Sequence, residues 1–288
     1  MLKQRVITAI VLLAILLPAL FYRTPVPFCA VALVLIAAGA WEWARLNACG
    51  QITSLLLALG CVALCGLSWY WGLLSQSLPL LWIFVGASWV IAGGWLLREG
   101  VSGWPRIPRE LRLVGGLAAL WMAWLAVAQA RVIGIGFLLS ILTLVWAADI
   151  FAYAAGRMLG GRFTSGKLAP TISPGKTWEG VWGAMAGVVV LSVLWALLDG
   201  AKTASSTGSN LGGSLFARLW AQHGVIVMLL AVIFLAAMSV VGDLVESLIK
   251  RSAGVKDSSG LLPGHGGVLD RVDALLPTLP LAMMLASI

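Results

Sequence analysis

Long apolar stretches dominate this chain, and short segments with proline, glycine or charge separate them. The hydrocarbon core of a bilayer is about 30 Å thick, so a helix needs about 20 mostly apolar residues to cross it. By this criterion the hydropathy pattern predicts nine transmembrane helices. They lie at about 5–22, 27–44, 52–71, 78–97, 113–130, 134–153, 181–198, 225–249 and 274–288.

The composition supports an all-α, polytopic integral membrane protein. Of the 288 residues, 61% are hydrophobic and 10% are charged, and the mean hydropathy is +1.00. A soluble domain carries roughly 25% charged residues. We expect one membrane domain with an uncleaved first helix. Residues 1–133 (spans one to five) form a scaffold in this interpretation, and residues 134–288 (spans six to nine) carry the chemistry.

The distribution of basic residues predicts a cytoplasmic N-terminus. With that orientation, 15 of the 19 Lys and Arg residues lie in inner segments, in agreement with the positive-inside rule. The net charge of +8 therefore favours contact with anionic membrane lipid and not with nucleic acid. We expect a multi-pass protein of the cytoplasmic (inner) membrane.

Seven of the eleven acidic residues lie in two short regions, 149–179 and 243–273. The predicted topology puts all seven at or near the cytoplasmic ends of spans. They are Asp149, Glu179, Asp243, Glu246, Asp257, Asp270 and Asp273.

The first polar group is Asp149 and Tyr153, which are four residues apart and hence share a helical face. The second is the segment 173–180, SPGKTWEG. Its Thr177 can cap the seventh span, whose free N–H groups would attract an anion, and Lys176 adds a point charge suited to phosphate. Simpler alternatives are a polar group reaching the headgroups and an ordinary N-cap loop.

The third group is the segment 247–273 with the acids just before it. Asp243, Glu246 and Lys250 form one stripe of a helix, and Asp270 and Asp273 share another face. Carboxylates from two helix ends suit Mg²⁺, which keeps water ligands for a substrate phosphate. The alternative is a solvated charged loop, but such a loop does not explain the acids or the His-Gly-Gly turn at 265–267.

These residues resemble the phosphatidate cytidylyltransferases, also called CDP-diacylglycerol synthases. The family signature is S-x-[apolar]-K-R-x4-K-D-x-[small]-x2-[apolar]-P-x-H-G-G-[apolar]-x-D-R-[apolar]-D, and residues 247–273 fill it without a break. The segments at 149–157, 173–180 and 242–247 are also similar to the family pattern. One departure is Gly175, which stands where the family commonly has lysine.

The resemblance implies transfer of CMP from CTP to phosphatidic acid, which gives CDP-diacylglycerol and pyrophosphate, with Mg²⁺ as cofactor. It implies Asp243 and Asp270 as metal ligands. The residues implied to hold phosphates are Ser173, Lys176, Lys250, Arg251, Lys256 and Arg271. Those implied to orient them are Asp257, His265 and Asp273. Further candidates for substrate binding are Asp149, Tyr153, Thr177, Glu179, Glu246, Gly266 and Gly267.

Several points stay open at the level of sequence: a second cation, a homodimer and the role of His265. Small residues in spans six to eight are candidates for a lateral groove that holds the acyl chains. Two other functions fit the same features, a CTP-dependent polyisoprenol or lipid kinase and an anionic-lipid transporter. The kinase would release CDP, and the transporter would need charge near the middle of the membrane.

Overall fold

The computed structural model describes residues 2–204 and 213–288. These residues form a helix bundle with one small β-hairpin at its end. The helices are α1 (Leu2–Phe21), α2 (Val26–Leu46), α3 (Gln51–Tyr70), α4 (Pro79–Glu99), α5 (Arg109–Ile133), α6 (Ile135–Leu159), α7 (Trp178–Ala204), α8 (Leu215–Ser252), α9 (Leu269–Val272) and α10 (Leu275–Ser287). The strands are β1 (Lys167–Ala169) and β2 (Ser173–Thr177), which pair antiparallel.

Within the described ranges, eight helices are long and apolar enough to cross a membrane, namely α1 to α8. The predicted class, an all-α polytopic membrane protein, is confirmed. The helix α8 contains a break at Gly224. Its φ is 83°, a value that glycine adopts without steric cost. The uninterrupted part of α8 therefore begins at residue 225, where the hydropathy pattern starts the eighth span.

The ninth predicted span differs from the structure. Its residues form α10, a helix of 13 residues. At 1.5 Å per residue, α10 is about 20 Å long and does not by itself cross a core of about 30 Å. It packs among α4, α5, α6 and α8, and Gly86 of α4 and Gly242 of α8 make room for it. The segment is apolar as predicted, but most of its apolar side chains are buried against other helices of the protein.

The loop predicted at 199–224 is shorter in the structure, because α7 continues to Ala204 and α8 begins at Leu215. The centre of its Ser/Gly/Thr-rich tract, residues 205–212, lies outside the described residues. All four cysteines (Cys29, Cys49, Cys61 and Cys65) are free thiols.

Glycines bring α6 and α7 into close contact. A side chain at Gly183 would overlap the Ala155 Cβ and would lie 3.0 Å from the backbone oxygen of Phe151, while one at Gly187 would overlap the Phe151 ring. These small residues of the seventh span therefore serve close helix packing. Because α6 fills the space above these glycines, they do not line a groove for acyl chains.

An apolar cavity of about 590 Å³ lies elsewhere, between α4 and α5. These two helices are consecutive but make little contact with each other: both pack on α10, while α4 also packs on α8 and α5 also packs on α2, α3 and α6. Along α5 the lining runs from Leu111 to Leu125, about 20 Å at the helical rise. One end of the cavity is formed by Glu246, Ile249 and Leu269.

The contact between α6 and α7 predicts the effect of a larger residue. We expect Gly183→Leu to destabilise the protein by about 1–3 kcal/mol, because the added side chain must displace Ala155 or the backbone. The melting temperature in detergent, followed by tryptophan fluorescence, measures this. The control is Gly94→Leu on α4, where a Cβ meets nothing within 4 Å. Equal melting temperatures for the two variants would contradict the packing argument.

Candidate active site

All three polar groups identified in the sequence meet at one end of the bundle. The ends of α6 and α8, the hairpin before α7 and the segment 253–273 lie there. The first turns of α1 lie at the same end, since the Arg5 Nε donates to the carbonyl oxygen of Gly264 over 2.8 Å. Thr8 Oγ1 donates to the carbonyl oxygen of Pro263 over 3.0 Å. Residues far apart in sequence therefore form one site.

Asp270 is the centre of the hydrogen bonds in this site. Its Oδ1 lies 2.5 Å from the Lys250 Nζ. Its Oδ2 accepts from the Ser258 N–H at 2.9 Å, from the Ser258 hydroxyl at 2.9 Å and from the Gly267 N–H at 2.7 Å. Two chain segments are thus held to one carboxylate, whose side chain is 6% exposed.

Lys250 joins α8 to this carboxylate. Its ammonium pairs with Asp270 and, one turn back on α8, with Glu246. The side chains of Lys250 and Glu246 are 11% and 7% exposed. Two carboxylates share one buried ammonium, so Lys250 already has partners and is not a free phosphate ligand.

The pKa values of two aspartates outside the spanning helices follow from these surroundings. Burial acts to raise the pKa of Asp270, but the hydrogen bonds from Lys250, Gly267 and Ser258 outweigh it and hold this pKa below its usual value. The pKa of Asp273 is raised, first by burial and then by the nearby charge of Asp243. Asp273 Oδ1 accepts from the N–H of Ala274 at 2.8 Å.

Glu42 of α2 is a site residue that the sequence reasoning missed. It is fully buried, and its Oε1 accepts from the Ser259 hydroxyl at 2.5 Å and from the Val268 N–H at 2.9 Å. Its Oε2 accepts from the Ser258 hydroxyl at 3.1 Å and from the Leu269 N–H at 2.8 Å. A lone acid inside an apolar span is itself a signal of function, and this signal was available in the sequence.

The turn at Pro263–Gly267 places its glycines against carboxylates. Gly264 and Gly266 have φ values of 77° and 83°, which favour glycine. A Cβ at Gly266 would lie 2.6 Å from Asp270 Oδ2, and one at Gly267 would overlap the Glu42 carboxylate. The His265 carbonyl oxygen accepts two hydrogen bonds from the Arg271 guanidinium, at 2.7 Å and 3.1 Å. These bonds stabilise the turn.

The hairpin β1–β2 brings the second motif to the first. An ordinary loop was the alternative interpretation of this segment, but the structure has a hairpin in which Lys167 pairs with Thr177 and Ala169 with Ser173. The Lys176 Nζ then lies 2.7 Å from Asp243 Oδ2 on α8, and both side chains are partly open to solvent. The predicted cap is confirmed, because Thr177 Oγ1 accepts from the Gly180 N–H at 3.2 Å.

Glu179, one residue into α7, holds the connection from α6. Its Oε1 accepts from the N–H groups of Phe163 and Thr164, at 3.2 Å and 2.9 Å, and from the Thr164 hydroxyl at 2.9 Å. Glu179 is buried, so its contacts are those of a structural anchor. A small hollow of about 160 Å³, lined by glycines, Thr164, Lys167 and Thr177, lies beside this connection.

The other predicted site residues lie at the solvent-facing surface of this end of the bundle, which we call the opening. Asp149 is exposed and within electrostatic range of Asp243, Lys176 and Arg271. Tyr153 is exposed and accepts from Arg157 at 2.9 Å. Arg251 donates to the carbonyl oxygens of Ile172 and Val255, and Lys256 and Asp257 are exposed. The opening therefore carries both signs of charge.

The donor set fits a magnesium ion bound with the help of a substrate. In the described part of the chain no three His, Cys, Asp or Glu side chains converge closely enough to hold a metal by themselves. Mg²⁺ is commonly bound by one or two carboxylates together with water and phosphate oxygens. Asp243 is partly exposed, and Asp270 Oδ1 receives a single donor and keeps a lone pair. Each of these carboxylates therefore has the chemistry of a Mg²⁺ ligand.

The buried ion group predicts a large effect for Lys250→Met. Removing the ammonium leaves Glu246 and Asp270 buried without their cation, a change that costs roughly 3–5 kcal/mol. The melting temperature of purified protein measures the loss. We expect Lys250→Met with Glu246→Leu to recover part of it, because one of the uncompensated carboxylates is then gone. A double variant no more stable than Lys250→Met would contradict the pairing.

Comparison with known proteins agrees with the sequence motifs and the site. The model of the cytidylyltransferase family matches residues 3–288. A phosphatidate cytidylyltransferase of Pseudomonas aeruginosa is 36% identical over 284 residues, covering 97% of this chain and 95% of that protein. Those of Haemophilus influenzae and Brucella abortus are 36% and 32% identical over 300 and 296 residues, covering 97% and 100% of this chain and 96% and 94% of the relatives. The chain therefore belongs to the cytidylyltransferase family.

Proposed function

We propose that this protein is a phosphatidate cytidylyltransferase, which transfers CMP from CTP to phosphatidic acid and forms CDP-diacylglycerol and pyrophosphate. The observation that carries the proposal is the ion pair between Lys176 and Asp243. It joins the motif before α7 to the motif on α8 and so makes one site from separate parts of the family signature. The family membership and the names of the relatives support the same reaction.

In this reaction a phosphate oxygen of phosphatidic acid attacks the α-phosphorus of CTP. The new P–O bond forms as the bond from the α-phosphorus to the bridging oxygen breaks, and the electron pair leaves with pyrophosphate. The nucleophile is already anionic, so the site needs to position two anions and neutralise charge, with no dedicated general base.

The exposed cations at the opening are suited to hold these anions. We assign phosphate binding to Lys176, Lys256 and Arg271, which reach solvent, and not to Lys250, which is buried between two carboxylates. Arg251 keeps the hairpin against α8 through the carbonyl of Ile172. This division separates residues that bind substrate from residues that hold the site together.

We assign Asp243 and Asp270 as the carboxylates that hold Mg²⁺ when CTP is bound. The ion would neutralise the phosphates and lower the repulsion between the two anionic substrates. Lys176 orients Asp243 through their ion pair, and Lys250 and Ser258 orient Asp270. We place this end of the bundle on the cytoplasmic side of the inner membrane, because the basic residues gather there.

Identification of the products tests the proposed function. Purified protein with phosphatidic acid, Mg²⁺ and CTP labelled at the α-phosphate should give labelled lipid and pyrophosphate. The Asp243→Asn variant, with an unchanged melting temperature, should lose at least 100-fold in turnover, since it removes a charge from the site. Release of CDP would indicate a lipid kinase instead. Lipid flux without nucleotide turnover would indicate a transporter.

We further propose that the cavity between α4 and α5 accommodates an acyl chain of the lipid substrate. Its volume of about 590 Å³ lies within the usual range for ligand pockets. Its length of about 20 Å matches the depth of roughly one leaflet. The end formed by Glu246 and Leu269 belongs to the same elements as the site, so a chain in the cavity has its headgroup near Asp270.

Filling the cavity should weaken the binding of lipid and leave the binding of CTP intact. Gly115 lines the cavity, and a Cβ there meets nothing within 4 Å, so Gly115→Leu adds apolar volume without a clash. We expect the KM for long-chain phosphatidic acid to rise several-fold while the KM for CTP stays the same. The control is Gly94→Leu, outside the cavity lining. If both variants have the wild-type KM for lipid, the acyl chain binds elsewhere.

A further inference from the structure

We propose that Glu42 is a positioning residue that sets the orientation of the Asp270 carboxylate. This inference rests on the proposed function, because it assigns Asp270 to the reaction. Glu42 belongs to α2, in the half of the chain for which the sequence indicated only a scaffold. It does not touch the opening, since its side chain is fully buried.

The contacts of Glu42 are unusually complete for a buried carboxylate. Each oxygen accepts from one serine hydroxyl and from one backbone N–H, over 2.5–3.1 Å. The four donors come from two segments, 258–259 and 268–269, which enclose the Pro263–Gly267 turn. One side chain of α2 thus fixes both ends of the turn.

The connection from Glu42 to Asp270 runs through Ser258 and through the backbone. The Ser258 Oγ lies 3.1 Å from Glu42 Oε2 and 2.9 Å from Asp270 Oδ2, so its single hydrogen is shared between the two carboxylates. The Ser258 N–H donates to the same Asp270 oxygen. Glu42 also holds the N–H of Leu269, the residue directly before Asp270. Loss of the Glu42 carboxylate would therefore loosen Asp270 at its side chain, through Ser258, and at its backbone, through Leu269.

The two glycines at 266–267 fit this arrangement. A Cβ at Gly266 would press on Asp270, and a Cβ at Gly267 would overlap both Glu42 and the Ser258 hydroxyl. Each glycine therefore makes room for one carboxylate. The second glycine makes room for Glu42 together with Ser258, so its place in the signature fits a residue of α2 more than 200 positions earlier in the chain.

Two acceptor oxygens are needed at Glu42 because each of them faces a backbone N–H, which can only donate. In Glu42→Gln one oxygen becomes an NH₂ group, which would then face either the Val268 or the Leu269 N–H. A buried donor against another donor is left unsatisfied, at about 1–3 kcal/mol. Glu42→Gln keeps the size of the side chain but turns one acceptor into a donor, so it tests whether these hydrogen bonds position Asp270.

The experiment compares wild type with Glu42→Gln and Ser259→Ala. The latter removes one hydrogen bond to Glu42 and serves if Glu42→Gln does not fold. It also removes the acceptor of the Leu261 N–H, so for this variant only the exchange of residues 262–270 counts. Hydrogen exchange of the peptide that covers residues 258–270 is measured on the purified, full-length protein without nucleotide. The kcat, the KM for CTP and the Mg²⁺ dependence are measured on the same samples.

We expect faster exchange at 258–270 in both variants, with the larger change in Glu42→Gln. In folded Glu42→Gln, kcat should fall roughly 10–100-fold, as is typical when a partner of a metal ligand is removed, and more Mg²⁺ should be needed for half-maximal activity. The KM for CTP should change little, because the exposed cations that bind it are intact. Glu42→Asp, which keeps the charge, should recover part of the kcat.

Gln129→Ala is the matched control for a purely structural loss. Gln129 is also buried in the bundle and makes three hydrogen bonds, to Leu73, Gln76 and Trp82, away from the site. We expect it to lower the melting temperature without changing kcat, the Mg²⁺ dependence or exchange at 258–270.

The inference is overturned if exchange at 258–270 is unchanged, or if Gln129→Ala shifts kcat and the Mg²⁺ dependence as much as Glu42→Gln does. The proposed function fails separately, if wild-type protein makes no CDP-lipid. Hydrogen exchange needs no turnover, so the two failures are distinguishable.

Discussion

Charge buried at one end of an apolar bundle is the constraint on which the rest of this site depends. The carboxylates of Glu42, Glu246 and Asp270 are removed from water together with the ammonium of Lys250. An unpaired buried ion costs several kcal/mol, so each must find donors within the protein. The segment 258–270 supplies those of Glu42 and Asp270 through two hydroxyls and four backbone N–H groups, while Glu246 pairs with the Lys250 ammonium on α8. The path of this segment across the end of the bundle follows from that requirement.

This constraint also explains why the family signature is long and specifies particular residues along its whole length. The first lysine of the signature, Lys250, forms an ion pair with Asp270, the first aspartate after the turn. The paired glycines stand where the carboxylates of Asp270 and Glu42 need space. Much of the signature therefore forms hydrogen bonds within the site itself, and a smaller set of cations that reach solvent, with Lys176 among them, is left for the proposed binding of substrate phosphates.

The membrane-spanning part positions this end in two ways. Close packing of α6 on α7 through Gly183 and Gly187 fixes the hairpin that carries Lys176 against α8. On another face of α8, the apolar cavity between α4 and α5 ends at Glu246. The proposed nucleotide and lipid partners would then approach the same carboxylates from different sides of one helix.

Hydropathy and motif spacing by themselves determined the class, eight of the spans, the Thr177 cap and the three polar groups that meet at one end of the bundle, because a helix that faces lipid and a short motif both depend on local sequence. Three features depended on the tertiary structure. α10 repeats the apolar pattern of a span but is buried by neighbouring helices, and hydropathy does not distinguish lipid from protein. The hairpin at 167–177 is held by pairing between strands. The role of Glu42 needed the fold most, because its four partners lie more than 200 residues away and only packing brings these donors to one carboxylate.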